Sequence, residues 1–251
     1  ESRECQDKEI TLKVNDIQVN MPGEKVNGVD LEICRGEILG IGGLAGQGKV
    51  GIANGSMGLY PSTGEVYFKG EKLPRNNTKN SLKKGLSFVS EDRRGVGLLL
   101  DSSIELNIVF TTMQTKGKFL KRMGFFSQLD DKNIREYANK VIKDLDIRCT
   151  RPQQLTRQLS GGNQQKVCVA RALGLDPEIL FVSEPTRGID VGAKKLVLDL
   201  LLKLNKELGM TMIMTSSELV ELRSICDRIA IIFNGKVAGI LKASSSDREF
   251  G

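Results

Sequence analysis

Near the start of the chain, Ile10, Leu12 and Val14 fall on every second position, and so do Val29, Leu31 and Ile33. That is the period of a strand with one buried face. An antiparallel pair is therefore expected over Ile10–Val19 and around Val29–Ile33, with Met21-Pro22-Gly23 turning between them. Glu37 to Gly42 reads as a short buried strand, followed by strands at Gly64–Phe68 and Leu86–Val89 with a short helix at Thr78–Lys84 between them. From Ser102 to about Gln158 the period lengthens. Ile134, Tyr137, Ala138, Val141, Ile142 and Leu145 recur at i, i+3, i+4, which predicts an amphipathic helix within a helical subdomain over about 102–158.

The run Val167 to Leu173 then predicts a helix closed by Gly174 and Asp176-Pro177, and Ile179–Val182 a buried strand. A helix over Gly192–Leu208 should place Leu196, Leu200, Leu201 and Leu204 on its apolar side. Met210–Thr215 reads as a strand, and Asp227–Phe233, Asn234-Gly235 and Lys236–Ile240 as a closing hairpin.

At 251 residues, 39% hydrophobic and 27% charged, the sequence suits one large domain, or one domain with an inserted subdomain. The net charge of +6 is spread along the chain among 31 acids, which speaks against a nucleic-acid partner. No apolar run reaches the roughly 18 residues of a membrane-spanning helix, so a membrane role is expected to come through a partner. The polar, aperiodic stretch 1–9 reads as linker, and the piece is expected to be cut from a longer polypeptide. Five cysteines without a C-x-x-C pair predict reduced thiols, with neither disulfide nor zinc site. Histidine is absent, which excludes every histidine mechanism within the chain.

Two glycine-rich stretches carry candidate chemistry. Gly43-Leu44-Ala45-Gly46-Gln47-Gly48-Lys49 matches G-x-x-x-x-G-K between a strand and a helix, where backbone N–H groups and a lysine can hold phosphate. Val50 and Gly51 follow, and a valine offers a metal nothing where a hydroxyl would be a ligand. Leu159-Ser160-Gly161-Gly162-Asn163-Gln164-Gln165-Lys166 sets a hydroxyl and two glycines directly before a helix. The free N–H groups and partial positive charge of such an end attract anions. By itself the second stretch reads first as an ordinary serine-capped helix, whereas the first favours nucleotide over a glycine turn without a ligand.

Together and in order, with the strand that ends in Ser183-Glu184-Pro185-Thr186, they resemble the nucleotide-binding domain of ABC transporters from about Ile10 to Leu241. The resemblance implies an α/β P-loop fold with an N-terminal antiparallel β subdomain and an inserted helical subdomain, one domain over 10–251. It implies ATP held by Gly43, Leu44, Ala45, Gly46, Gln47, Gly48, Lys49, Val50 and Gly51, and Mg²⁺ beside it. Glu184 then stands as the base that activates water, Ser160, Gly161, Gly162 and Gln164 as the signature, and Glu91 as a candidate metal ligand in place of the family's glutamine. The family's magnesium aspartate is replaced by Ser183 and its histidine by Ser217. Its adenine-stacking aromatic is missing, since no Phe, Tyr or Trp precedes Tyr60.

The departures at Val50, Glu91, Ser183 and Ser217 gather on the side holding the domain's own ATP, while the signature is intact. The wording around Ser160, Thr186-Arg187-Gly188-Ile189-Asp190 and Ser90-Glu91-Asp92-Arg93-Arg94 is similar to the second half of the tandem ATPases of bacterial ribose, galactose and xylose importers. That similarity implies as partners an N-terminal ATPase half on the same polypeptide, membrane permease subunits contacted near Ser102–Met123, and indirectly a periplasmic or lipoprotein solute-binding protein. It implies a place on the cytoplasmic face of the membrane, and a weak or absent metal at this half's own site. A nucleoside importer half, a non-hydrolytic regulatory module and a soluble family member acting on ribosomes or DNA are the competing readings.

Overall fold

The computed structural model describes residues 9–123 and 126–250. They divide between two compact units, one formed by Glu1–Phe88, Glu178–Glu184 and Leu201–Gly251, the other by Val89–Pro177 and Pro185–Leu200. In chain order the first unit begins with β1 (Ile10–Met21), β2 (Glu24–Cys34), β3 (Ile38–Gly42), α1 (Lys49–Met57), β4 (Ser62–Phe68), β5 (Glu71–Lys72), α2 (Thr78–Lys84) and β6 (Leu86–Val89). The second contains α3 (Ile104–Lys116), β7 (Leu120–Met123), β8 (Phe126–Leu129), α4 (Asp131–Asp144) and α5 (Gly161–Leu173). Then come β9 (Ile179–Ser183), α6 (Val191–Leu208), β10 (Thr211–Thr215), α7 (Leu219–Ile225), β11 (Arg228–Phe233), β12 (Lys236–Lys242) and α8 (Asp247–Phe250).

β2-β1-β4-β5 form an antiparallel sheet, as the alternating pattern predicted. A second sheet has the order β12-β11-β3-β10-β9-β6, in which β11, β3, β10 and β9 run parallel and β12 returns antiparallel. Every residue of β3, β9 and β10 is buried, which is why their sequences read as continuous apolar runs. Leu39, Ile41, Phe181 and Ile213 of this sheet share one core with Leu12, Val14 and Ile17 of the other. The parallel strands thereby deliver β3 and β9 side by side with β10, each ending in a loop that carries candidate chemistry.

In the second unit α3 packs on α4 and α5. Buried Asn107 bonds through its amide to Leu99 O (2.9 Å), Ser103 O (3.0 Å) and Thr156 Oγ1 (2.9 Å), tying the segments on either side of the helix pair together. Ile104, Ile108 and Val109 are fully buried, so these apolar residues of the expected permease-contacting segment serve the unit's own core.

Three expectations need correction. The segment expected to be helical throughout contains the β7–β8 hairpin, because Gly117 at φ 65° caps α3 and Phe119 at φ 65° cannot continue it. Leu196 is 48% exposed while Leu200, Leu201 and Leu204 are buried, since Leu196 lines an open surface cavity instead of the core. Cys34 is disulfide-bonded, whereas Cys149, Cys168 and Cys226 are free thiols. Cysteine count and the lack of a C-x-x-C pair do not report which thiols the fold brings within bonding distance.

Candidate nucleotide site

In the first unit β3 runs directly into the glycine loop. Gly43 has φ 148°, and a Cβ there would lie 2.6 Å from Ile232 O. Gly48 has φ 109°, and a Cβ would lie 2.1 Å from Lys25 O. Both positions demand glycine because backbone passes against backbone. Gln47 fixes the loop's crest to the β11–β12 turn, with Asn234 N donating to Gln47 Oε1 (2.7 Å) and Gly235 N to Gln47 O (2.9 Å). Leu44 and Ala45 are exposed on that crest, and Gly46 turns it at φ 76°. α1 starts at Lys49 without a side-chain cap, so the helix end is open to an anion. In its first turn Val50 is buried, and Gly51 admits Val26 Cγ2, which a Cβ would meet at 2.7 Å.

Lys49 does not reach into open space. Its side chain is 2% exposed; Nζ donates to Ser217 Oγ (2.7 Å) and Gly43 O (3.1 Å) and lies 3.2 Å from Glu184 Oε1. Glu184 in turn accepts from Ser217 Oγ (2.7 Å) and Ser217 N (3.2 Å). The carboxylate is aimed by a left-handed backbone at φ 45°, held by Glu184 N donating to Thr215 O at 2.9 Å. Lysine, serine and carboxylate thus close on one another.

Magnesium does not fit this arrangement. Val50 has no side-chain oxygen, and Ser183, fully buried and without a hydrogen-bond partner for its Oγ, offers a single neutral hydroxyl where a carboxylate would carry charge. Glu184 is engaged with Lys49 and Ser217. Among the described residues no group of three or more His, Cys, Asp and Glu could hold a metal ion. Glu91, the other candidate ligand, belongs to the second unit and is half-buried just beyond β6.

The second unit carries the other candidate anion site. Ser160 caps α5 and is exposed. Its Oγ accepts from Asn163 Nδ2 (3.0 Å) and Asn163 N (3.5 Å), and Arg148 N donates to Asn163 Oδ1 (2.9 Å). Gly162 lets α6 approach, since a Cβ there would lie 2.8 Å from Ala193 Cβ, while at Gly161 the nearest atoms would be 3.5 Å away. A cavity of about 380 Å³ opens beside this end, lined by Ser160, Gly162, Asn163, Arg148, Lys166 and Asp190 among others. Gln164, expected at the open end, is turned inward: Nε2 donates to Leu159 O (3.1 Å) and Oε1 accepts from buried Arg93 Nε (3.3 Å). Arg93 Nη1 also donates to Arg187 O (3.3 Å), so Gln164 and Arg93 form the floor beneath the signature.

A family model described as ABC transporter matches residues 26–187. The chain belongs to the ABC transporter family. It is 35% identical over 226 residues to the ribose import ATP-binding protein RbsA of Bacillus cereus, covering 90% of this chain and 44% of that protein. It is 36% identical over 247 residues to the xylose import ATP-binding protein XylG of Thermoanaerobacter pseudethanolicus (96% and 47%). With the galactose/methyl galactoside import ATP-binding protein MglA of Treponema pallidum it shares 37% identity over 222 residues (88% and 43%). The chain spans about half the length of the curated relatives it matches.

Among solved structures it is similar to a dimeric ATP-binding cassette in a post-hydrolysis state bound to ADP and phosphate, with TM-score 0.75 and 25% identity over 94% of this chain and all of that one. The α/β fold with its antiparallel sheet is that of the ABC cassettes, as the motifs implied. No described helix is long and apolar enough to cross a membrane.

Sequence reasoning did not find the parts played by Asn163, Arg93 and Asn234. Arg148, Gln164 and Gln47, which they meet, lie 15, 71 and 187 positions away, although Asn163 also bonds Ser160 three positions back within the motif.

Proposed function

We propose that this chain is one ATP-binding half of the motor of a bacterial sugar importer, and that it acts mainly by completing the ATP site of a partner half. The observation that carries this reading is the contrast between Lys49 and Ser160. Lys49 is already paired, beside a loop with no side-chain metal ligand; Ser160 is exposed at a helix end whose first residues are half-buried Gly161 and buried Gly162.

In this reading Ser160 Oγ–H and the N–H groups of Gly161 and Gly162 face the γ-phosphate bound by the partner's glycine loop, where they stabilise negative charge as the phosphoryl group passes to water. The base and the magnesium ligands come from the partner half. The roles of its relatives in ribose, xylose and galactose import support a sugar as solute. Their length, about twice this chain's, supports an N-terminal ATPase half on the same polypeptide, with residues 1–9 as linker and 10–251 as the cassette. Permease subunits, with a solute-binding protein behind them, complete the assembly at the cytoplasmic face of the membrane, and nucleic acid is not a partner.

The reading is tested in the assembled transporter. Ser160→Arg should abolish ATPase activity and transport, and Lys49→Ala should leave a substantial part of both. Equal and complete loss in two variants that still fold and assemble would falsify the asymmetry.

A further inference from the structure

The geometry points to Asn163 as the positioning residue that turns the Ser160 hydroxyl proton outward, and we propose that this is what makes Ser160 a donor to a bound phosphate. The amide of Asn163 has only one workable orientation. Arg148 N–H can only donate, and it lies 2.9 Å from Asn163 Oδ1. Nδ2 therefore faces Ser160 Oγ at 3.0 Å and must donate to it.

A serine oxygen has two lone pairs and one proton. Here one lone pair is met by Asn163 Nδ2, and the other is approached by Asn163 N at 3.5 Å. Both donors belong to Asn163, in the first turn of α5. The hydroxyl proton is what remains to point away from the helix, toward the exposed side and the adjoining cavity. Without the amide, one lone pair loses its donor and the hydroxyl rotor is no longer fixed, so its oxygen can present a lone pair to the anion in place of the proton. Asn163 itself makes its bonds to Arg148 N and Ser160 Oγ and need not touch the phosphate.

The inference rests on the trans-acting reading above, and the test keeps the two apart. In the complete transporter, Ser160→Ala, Asn163→Asp, Asn163→Ala and the two double variants are compared by kcat, KM for ATP and thermal melting. Asn163→Asp keeps an acceptor for Arg148 N and replaces the donor to Ser160 by a second acceptor; Asn163→Ala is the neutral control for charge.

Ser160→Ala should lower kcat about 100-fold, as the loss of one transition-state donor does. Each Asn163 variant should lower kcat by about tenfold or more with KM little changed. On the Ser160→Ala background Asn163→Ala should add less than about twofold, because its only route to the phosphate has gone. If Ser160→Ala loses activity while both Asn163 variants match the parent, the positioning role falls and the trans reading stands. The same holds if Asn163→Ala keeps its full effect without the serine hydroxyl. An inert Ser160→Ala overturns both.

Discussion

At the start of α1 the lysine is 2% exposed, 3.2 Å from a carboxylate and bonded to a serine. At the start of α5 the serine is exposed and bonded to Asn163, and neither helix has an acid in its first turn. Both are glycine-rich entrances to helices with unsatisfied N–H groups, and by motif alone both hold phosphate. The difference teaches that an anion site depends on where its cations and donors already spend their bonds. A phosphate arriving at α1 must compete with Glu184 for Lys49, and separating a buried pair costs on the order of 3 kcal/mol, more than 100-fold in affinity. At α5 Ser160 itself meets Asn163 and no carboxylate, while Lys166 of the adjoining cavity is held 3.2 Å from Asp146 Oδ2.

The backbone contrast gives the largest expected effect. Gly48→Ala should destabilise the protein by about 3 kcal/mol or more in urea unfolding, because positive φ and a Cβ 2.1 Å from Lys25 O act together. Gly161→Ala, with nothing nearer than 3.5 Å, should stay within about 1 kcal/mol of the parent. Equal losses at the two positions would mean that both entrances are built on the same tight backbone.

The ion pair comes next. Lys49→Met should cost about 3 kcal/mol by leaving Glu184 without its cation, and Glu184→Gln added to it should restore part of the loss. Ser160→Ala should cost only about 1 kcal/mol as an ordinary cap. Strictly additive losses at Lys49 and Glu184 would show that the pair contributes nothing to the folded state.

A smaller effect separates the two ends by metal. ATP affinity of this chain should change less than about tenfold, or 1.4 kcal/mol, when magnesium is chelated. Val50→Thr combined with Ser183→Asp should introduce a dependence on magnesium, by supplying a hydroxyl and a carboxylate where valine and an unpartnered serine now stand. A strong dependence in the parent would show that Glu184 leaves Lys49 to serve the ion.

The smallest effect reports on α5. Burial pushes the Cys168 thiol up to about 12 from 9.0, with Arg93 and Arg171 opposing. Because the folded value is raised, the thiol's contribution to stability is complete below pH 9 and is lost as pH rises from 9 toward 12. At neutral pH, iodoacetamide should label half-buried Cys149 well before Cys168. Labelling of Cys168 at the rate of Cys149 would mean that α5 opens as readily as a loop.

Much of this was legible in the chain. Alternation at Leu12 and Val14 and the continuous apolar run at Ile179–Val182 gave strands in both sheets, since the period of two and full burial are local consequences of strand geometry, while Ile10, beyond a register shift, is 38% exposed. Gly43 and Gly48 announced the loop because only glycine tolerates the approach of Ile232 O and Lys25 O. The β7–β8 hairpin was hidden in a stretch whose neighbours are helical, and its pairing of Leu120 with Leu129 follows from chain reversal beyond Gly117. Leu196 kept the period of a buried position, yet the cavity beside Ser160 left it in solvent.

The sequence by itself determined which residue types stand at each helix entrance: glycines and a lysine at one, a serine and glycines at the other, and no histidine anywhere. Only the tertiary structure decided which of those groups are spent. Lys49 meets Glu184 and Ser217 across 135 and 168 positions because β3, β9 and β10 lie side by side in one sheet. Asn163 meets Arg148 because the chain between α4 and α5 folds back over the first turn of α5. A hydrogen bond or ion pair acts over about 3 Å of space whatever its separation along the chain. Local pattern therefore fixes which groups an element carries, and the packing of distant elements fixes their partners.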